Sequence, residues 1–521
     1  MRGRPRRNVA SLLGPIVAGR CGAAGDGAGR RLERSEINVR KAKPRDLLRP
    51  RGAYAKSTPG RARSPRYDSP ERRVRDNAVA LLQRAEDTLA PLDGPLGQAL
   101  EQTDPRDRAL LQELVLGTVR WSRRLDAVLE EVADRELAAI DRGLIWPFRV
   151  ALYQLFFLDR MPPHPIVHEA VEQARRATHR GVASFVNAVL RRVAKRRTLA
   201  AWPVRTEQGL ERLAIETSHP TFLVERWWRR HGERTTRCIL EVNNRRKPIQ
   251  LLAFRDRGGR EQLAERLIDE EITVEPSTLA PCGLVVRSGR PLETEAFSDG
   301  AFYVQDEASQ VAALIPPPRA GERVLDVAAA PGGKSFALSA YQPLVDQFAV
   351  DISLARLATM RQNALRLRRE SLRLVAADAR QRVIRGEFDR VVVDVPCSGT
   401  GTLRKNPELK WRLRESEIVR LARQGAEMAR ASAACVAPGG VLVLVACSIE
   451  EEEIVGPMQQ VLAENDQFRP DELESYPELF VRAGLTDRPG IWQLLPDGDH
   501  DGFTVAVLRR VEDGGGGRRS Q

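Results

Sequence analysis

The sequence predicts a multi-domain chain: an all-α bundle first, a small α+β module next, and a doubly wound α/β domain towards the C-terminus. Three observations carry that expectation. At 521 residues the chain is too long for one core, and roughly 100–200 residues per domain gives about three or four units. Apolar residues recur at helical spacing from about 73 to 197. From about 301 onward, short apolar runs alternate with helical segments, the pattern of parallel strands covered on both faces.

Taken in chain order, residues 1–72 come first. They are rich in Arg, Gly, Pro and Ser ("RGRPRRN", "GRARSPRYDSP"), lack apolar periodicity, and are expected to form a disordered basic tail. An Arg-rich, acid-poor start can mimic a transit peptide, but a simple basic tail is the preferred reading. In the bundle, "TDPRDRALLQELVLGTVRW" offers an N-cap at Thr103/Asp104 with Pro105 in the first turn. Leu111, Leu114, Val115 and Thr118 then share a face, as do Phe185, Val189 and Val193 in "ASFVNAVLRRVAK". Residues 198–300 mix a helix in "SHPTFLVERWWRRHG" with strands in "PIQLLAF", "ITVEP" and "GLVVRS" and a helix in "GREQLAERLIDEE". The α/β domain, 301–510, takes its strands from "RVLDVA", "QFAVDI", "LRLVAAD", "DRVVVDV" and "GGVLVLVAC". The end, 511–521 ("VEDGGGGRRSQ"), is expected to be disordered.

The charge balance of 83 Lys+Arg against 70 Asp+Glu leaves +13, which favours polyanionic partners, nucleic acid first. A solvated basic surface gives the same number. The cysteines are Cys21, Cys238, Cys282, Cys397, Cys435 and Cys447, with no CxxC pair. Neither a disulfide framework nor a zinc site is expected, and a reducing cytoplasm fits. His164 and His168 stand i, i+4 in "PPHPIVHEA", but the prolines mark the start of a helix and not a metal-binding face. No uninterrupted apolar run is long enough to span a bilayer.

In a doubly wound sheet, ligands bind at the carboxyl ends of the strands. The first strand ends at Asp326 and Val327 and runs into "AAAPGGKS", a turn of small residues that lets backbone approach a ligand closely. It is neither GxGxxG nor a P-loop. The second strand ends at Asp351, placed to accept hydrogen bonds from ribose hydroxyls, and the third at Asp378, placed to reach an adenine amino group. Each aspartate alone could simply cap the next helix. Three at successive strand ends, beside a glycine turn, favour a nucleoside-type cofactor in a Rossmann-like domain.

"LDVAAAPGGKS" is similar to the cofactor motif of RNA cytosine-5 methyltransferases, and "DVPCSGTGTLRKNPELKWR" closely resembles the next motif of that family. "FYVQDEASQ" and "DGFTVAVLRR" match as well. The helical segments "DRALLQELVLGTVRW", "LYQLFFLDRMPPHPIVHEAVEQARR" and "FVNAVLRRV" resemble the RNA-binding fold of the antitermination factor NusB. The resemblance covers about 73–510. It implies S-adenosyl-L-methionine as cofactor, held by Ala328, Ala329, Ala330, Pro331, Gly332, Gly333, Lys334, Asp351, Asp378 and Asp394. The implied partner is 16S ribosomal RNA, free or in an assembly intermediate, met by a monomeric, metal-free enzyme. Transfer RNA is the alternative substrate, and a non-catalytic RNA-binding assembly factor the alternative class.

C5 of cytosine is a poor nucleophile. A thiolate added at C6 turns the ring into an enamine whose C5 can attack a methyl group, and a base then removes the C5 proton so that the thiolate leaves. A carboxylic acid at N3, here Asp394, would make C6 more electrophilic. Cys397 and Cys447 both end strands, and their positions do not choose between them. The resemblance does: in the RNA-modifying family the cysteine of the later motif attacks, which makes Cys447 the nucleophile and Cys397 the residue of product release. Ala446 stands where that family usually has threonine, and "EEEE" from Glu450 replaces its proline and asparagine. The acidic run is expected to start a helix. Arg404, Lys405, Lys410 and Arg412, just past Cys397, are expected to face the RNA, although an ordinary basic loop looks the same.

Overall fold

The structure is a computed structural model that describes residues 70–88, 91–177, 181–206, 209–381 and 386–512. The tails at 1–69 and 513–521, and Cys21 with them, lie outside the described residues.

Six helices build the bundle: α1 (Pro70–Thr88), α2 (Asp93–Gln102), α3 (Arg108–Ala133), α4 (Arg142–Phe157), α5 (Pro163–Ala177) and α6 (Val182–Ala194). The α3 face read from the sequence is the buried one: Leu111, Leu114, Val115 and Thr118 have no exposed surface. They pack on Phe148, Leu152 and Leu190. One boundary differs from expectation. Thr103 closes α2, its hydroxyl bonded to the Ala99 carbonyl, and α3 begins only at Arg108. The residue before a proline avoids helical backbone, so Asp104–Pro105 makes the turn between two helices and not the cap of the second.

Two further helices, α7 (Gly209–Glu216) and α8 (Thr221–Asn244), carry Leu213, Leu223, Trp227 and Leu240 against Leu403 and Ile449 of the C-terminal domain. A small module follows: β1 (Gln250–Ala253), α9 (Gly259–Asp269), β2 (Thr273–Pro276), β3 (Gly283–Ser288), α10 (Glu295–Ser298) and β4 (Phe302–Val304). Its four strands run antiparallel in the order β2-β3-β1-β4, with Leu263 and Leu267 of α9 covering one face. The module therefore reaches past residue 300, because β4 supplies its edge strand.

After α11 (Glu307–Ala313) come β5 (Arg323–Val327), α12 (Gly333–Tyr341), β6 (Asp346–Asp351), α13 (Leu354–Arg366), β7 (Arg373–Ala376) and β8 (Phe388–Asp394). The domain continues through α14 (Leu409–Arg412), α15 (Glu415–Ala433), β9 (Val436–Ala446), α16 (Val455–Glu464), β10 (Phe468–Pro470), α17 (Leu479–Arg482), β11 (Ile491–Leu494) and β12 (Phe503–Arg510). The sheet order is β10-β12-β9-β8-β5-β6-β7, with β11 beside β12. The core of the sheet, from β9 to β7, is parallel, while β10, β11 and β12 pair antiparallel, so the sheet is mixed. From β5 the chain winds one way to β6 and β7 and the other way to β8 and β9. That makes the gap between β5 and β8 the switch point where a crevice opens.

Candidate active site

Strand register fixes what meets in the crevice. Val327 pairs with Val350 on one side and Val393 on the other, and Asp394 pairs with Val445. The turns after β5, β6, β8 and β9 therefore emerge side by side.

On the β5 side, the turn Ala328–Gly332 is pinned to β6 by Ala329 N–H donating to the Val350 carbonyl at 2.9 Å and Ala330 N–H donating to Asp351 Oδ2 at 3.2 Å. Gly332 has φ +112°, and a Cβ there would stand 2.4 Å from the Phe336 ring, so only glycine starts α12 at this point. Asp351 is buried and also accepts from Ser353 N–H and Arg356, both at 2.8 Å. Asp378 pairs with Arg380 at 2.7 Å, and that hydrogen bond holds its carboxyl down to about 2. Asp326 faces away from this row. It is fully buried beneath α12 and accepts from Ser335 Oγ at 2.6 Å, and burial pushes its carboxyl up to about 6. Ile352, directly after Asp351, is an apolar side chain left 63% exposed, a surface suited to a flat base.

On the β8 side, Asp394 meets Lys334 of α12 at 2.6 Å, across the switch point. Burial opposes the Lys334 charge, but Asp394 first, then Asp326 and Cys447, outweigh it and raise its proton affinity. Cys397 and Cys447, 50 residues apart in the chain, bring their sulfurs to 3.4 Å. Hydrogen bonding to Cys447 first, then burial and the neighbouring negative charges, push the Cys397 thiol well above its ordinary range. The backbone beneath is tight: Gly401 N–H donates to the Cys447 carbonyl at 3.1 Å, and a Cβ on Gly401 would lie 2.0 Å from the Gly502 carbonyl oxygen.

The acidic run does not start a helix. Glu451–Glu453 form a 3-10 turn ahead of α16, because each carboxylate is held from outside the run. Glu450 accepts from Trp227 Nε1 at 2.9 Å and Arg226 Nε at 3.0 Å, Glu452 pairs with Arg226 at 2.7 Å, and Glu451 with Arg230 at 3.2 Å. Glu453 is fully buried and accepts from Ser398 N–H at 2.7 Å and Ser398 Oγ at 2.8 Å. Sequence reasoning missed Glu453, Ser398 and Ser448, and nothing in "CSIEEEE" distinguishes the fourth glutamate from the other three.

The basic run past Cys397 divides. Lys405 and Arg412 are exposed. Arg404 and Lys410 are not, which corrects their expected place on the RNA-facing surface. Arg404 donates to the carbonyls of Gly498 at 2.8 Å and Arg246 at 2.9 Å. Lys410 donates to the carbonyls of Arg120 at 3.0 Å and Ser218 at 2.7 Å. Trp411 Nε1 reaches the Val119 carbonyl at 2.8 Å and Arg120 reaches back to the Arg404 carbonyl at 2.9 Å. These side chains fasten the C-terminal domain to α3 and to the segments flanking α8, and the Lys410 amine and the Arg404 fork are taken up by protein oxygens.

Comparison with known proteins gives the family. The model of 16S rRNA methyltransferase RsmB/F matches residues 313–509, that of the NusB family 72–195, and that of the RsmF/B-like ferredoxin-like domain 219–293. A probable ribosomal RNA small subunit methyltransferase B of Bacillus subtilis is 31% identical over 445 residues, 84% of this chain and 98% of that protein. The chain belongs to the RsmB/F family of 16S rRNA methyltransferases. A ribosomal RNA small subunit methyltransferase B of Pseudomonas putida is likewise 31% identical, over 81% of this chain and 95% of its own length. Among solved structures, PH0851 superposes with TM-score 0.69 at 24% identity, covering 85% of this chain and 99% of its own. NSun6 from Pyrococcus horikoshii, solved with SFG, gives TM-score 0.50 at 20% identity over 56% of this chain and 99% of its own. At these identities the likeness speaks for the fold alone. In this RsmB/F methyltransferase the helical bundle is thus the NusB-like part and the four-stranded module the ferredoxin-like part. Among the described residues no helix is long and apolar enough to cross a membrane, and no group of three or more His, Cys, Asp or Glu is arranged to hold a metal ion.

Proposed function

We propose that this RsmB/F methyltransferase moves a methyl group from S-adenosyl-L-methionine to C5 of a cytosine in 16S ribosomal RNA, through a covalent Cys447 adduct at C6. The observation that carries the reading is the sulfur pair: Cys397 and Cys447 meet at 3.4 Å on adjacent strand ends, beside the Asp394–Lys334 pair. A binder has no use for two apposed thiols and an ion pair at the mouth of a nucleoside crevice.

The crevice fits the cofactor by its donor set. The strand-end carboxylates of Asp351 and Asp378 suit a ribose and an amino group, and the small residues of the Ala328–Gly333 turn support backbone contact without a bulky side chain. When bound there, S-adenosyl-L-methionine supplies an electrophilic methyl group. Lys334 and Asp394 line the inner end of that crevice.

The chain's own residues do the rest. The Cys447 sulfur adds its electron pair to C6, and the negative charge this puts on N3 is met by a proton passed from the Lys334 ammonium through the Asp394 carboxyl. Electron density then gathers at C5, which would form the new carbon–carbon bond as the cofactor's methyl–sulfur bond breaks and the sulfur keeps that electron pair. Hydrogen bonding to Cys447, burial and the neighbouring negative charges disfavour a thiolate at Cys397, which supports attack by Cys447 and leaves Cys397 to product release. A water on the Cys397 side takes the C5 proton, the C5–H electron pair restores the C5=C6 double bond, and the C6–S bond breaks with its electron pair returning to Cys447; guiding that step is the release role of Cys397. The base must leave its stack to reach these groups. The exposure of Lys405 and Arg412 beyond the Cys397 loop supports contact of these two side chains with its phosphates.

The test uses the full chain, radiolabelled 16S ribosomal RNA and denaturing gels. Cys447→Ala should give neither product nor adduct while binding the cofactor as the native protein does. Cys397→Ala should still methylate but accumulate a shifted protein–RNA band, and the double variant should show none. Turnover in Cys447→Ala, or a Cys397→Ala protein with neither adduct nor product, would move the nucleophile to Cys397. Bisulfite mapping of the product identifies the base.

A further inference from the structure

Four glutamates follow Cys447 in one short turn, and three of them are answered by cations or an indole N–H of α8. Glu453 differs. It has no exposed surface, and no ion pair to it is present among the described residues. Both of its oxygens accept from Ser398, which follows Cys397 directly, and the Ser448 hydroxyl shares the carboxylate.

We propose that Glu453 is a positioning residue for the methyl-transfer reaction, fixing the Cys397 loop against the Cys447 loop through Ser398; this rests on the two-cysteine reading above.

The two loops run together like rungs of a ladder. The first rung is the sulfur pair at 3.4 Å, and the next is Ser398 Oγ against Ser448 Oγ at 3.2 Å. Thr400 Oγ1 joins Ser448 Oγ at 3.0 Å and accepts from Ile449 N–H at 3.2 Å. Ser448 Oγ in turn accepts from Glu450 N–H at 3.0 Å. A hydroxyl has one proton, so a chain of three hydroxyls needs an acceptor at its end to set the direction of every bond. Glu453 is that acceptor. Its second oxygen takes the Ser398 N–H, which fixes the backbone at the residue joined to Cys397. Rotation there would swing the Cys397 sulfur away from Cys447.

A carboxyl kept in so dry a place is costly unless it is used. Burial pushes Glu453 up to about 7, and its charge is among those that raise the Cys397 thiol. Glu453 thus also disfavours a thiolate at Cys397. No bond to substrate is assigned to it, and it acts only through its neighbours.

The experiment compares Glu453→Ala, Glu453→Gln, Ser398→Ala and Ser398→Ala/Glu453→Ala in the full-length protein, with cofactor binding as the check of folding. Misplacing a reacting group by about 1 Å costs about a hundredfold, so Glu453→Ala should lower kcat by roughly that factor with KM for RNA unchanged. Glu453→Gln keeps a carbonyl for the Ser398 N–H and should recover about tenfold of the loss. Because the pair acts as one unit, the double variant should be no slower than the slower single variant. Native kcat in Glu453→Ala or Glu453→Gln overturns the proposal, and so do single losses that multiply in the double variant. If Glu453→Ala does not fold, the isosteric Gln variant and Ser398→Ala decide it. Cys447→Ala run alongside separates the readings: its activity would sink the two-cysteine mechanism, whereas an inert Cys447→Ala beside a native-like Glu453→Gln sinks only the role of Glu453.

Discussion

The two halves of the crevice are built differently. On the half proposed to take the nucleoside, most partners are near neighbours in sequence: Asp351 holds Ser353 and Arg356, and Asp378 holds Arg380. On the cysteine half they are distant. Cys397 meets Cys447, Ser398 meets Glu453, and Glu450 meets Trp227 more than 200 residues away. One half is built from consecutive strand–turn–helix units, from β5 to β7. The other exists only once β8, β9 and α8 have come together. The Lys334–Asp394 pair bridges them, since Lys334 belongs to the helix of the first half and Asp394 to the strand end of the second.

Cutting the bridge should have the largest effect. Lys334→Met keeps the length of the side chain and removes the charge. Asp394 is 38% exposed, so its carboxylate can turn to water and stability should hardly change. Turnover should fall at least about a hundredfold, the usual cost of losing one preorganised charge. Single-turnover methylation and cofactor calorimetry check this together. An affinity loss as large as the turnover loss would assign Lys334 to the nucleoside half alone.

Asp326 tests the nucleoside half from beneath. Its ordinary carboxyl value is about 4, and burial raises it to about 6 in the folded protein. Between those values the folded state binds more protons than the unfolded one, so stability falls as pH rises from about 4 to about 6 and is level above and below. Asp326→Asn removes the titration. Melting temperatures of the two proteins should therefore diverge across that window, with native Asp326 losing of the order of 2 kcal/mol against the variant. Parallel curves would mean that Asp326 is ionised at no cost.

This difference in construction also explains what the sequence could and could not say. The turn Ala328–Gly333, Asp351 and Asp378 were legible because a strand end, a small-residue turn and a helix start are adjacent in the chain. Both cysteines were legible as strand ends, but their 3.4 Å meeting depends on the pairing of β8 with β9. Glu453 was illegible because only the folded Ser398 loop singles it out. Arg404 and Lys410 were misread for a related reason: a basic run looks solvent-facing until the helical bundle is laid over it. The antiparallel β10–β12 edge left only its last strand visible as a motif, since β10 and β11 are short.

A smaller effect is expected at Asp378, at the outer end of the nucleoside half. Its ion pair with Arg380 lies at the surface and contributes little to folding. Asp378→Asn should leave the melting temperature unchanged and weaken cofactor binding about five- to tenfold, through loss of one charge-assisted hydrogen bond. Cys447→Ala, on the other half, should leave the same binding constant untouched. A cofactor constant that moves in Cys447→Ala but not in Asp378→Asn would reverse the assignment of the halves.

The smallest effects, and the sharpest on the cysteine half, are expected from the basic run. Burial first, then Arg120, pushes the Lys410 ammonium well below its ordinary range, and its donors face three oxygens of the helical domains. An amine so placed is a joint and cannot be shared with phosphate. Lys405 and Arg412 are exposed and release counterions when they meet RNA. Each phosphate contact contributes about 0.7–0.9 to the slope of log affinity against log salt. Lys405→Ala and Arg412→Ala should each flatten that slope by about this amount and weaken binding only a few-fold at physiological salt. Lys410→Met should leave the slope alone and lower the melting temperature, because the carbonyls of Arg120 and Ser218 lose their donor. Filter binding across a salt series, with melting curves on the same preparations, separates the two kinds of lysine. A flattened slope in Lys410→Met would mean that the joint opens when RNA binds.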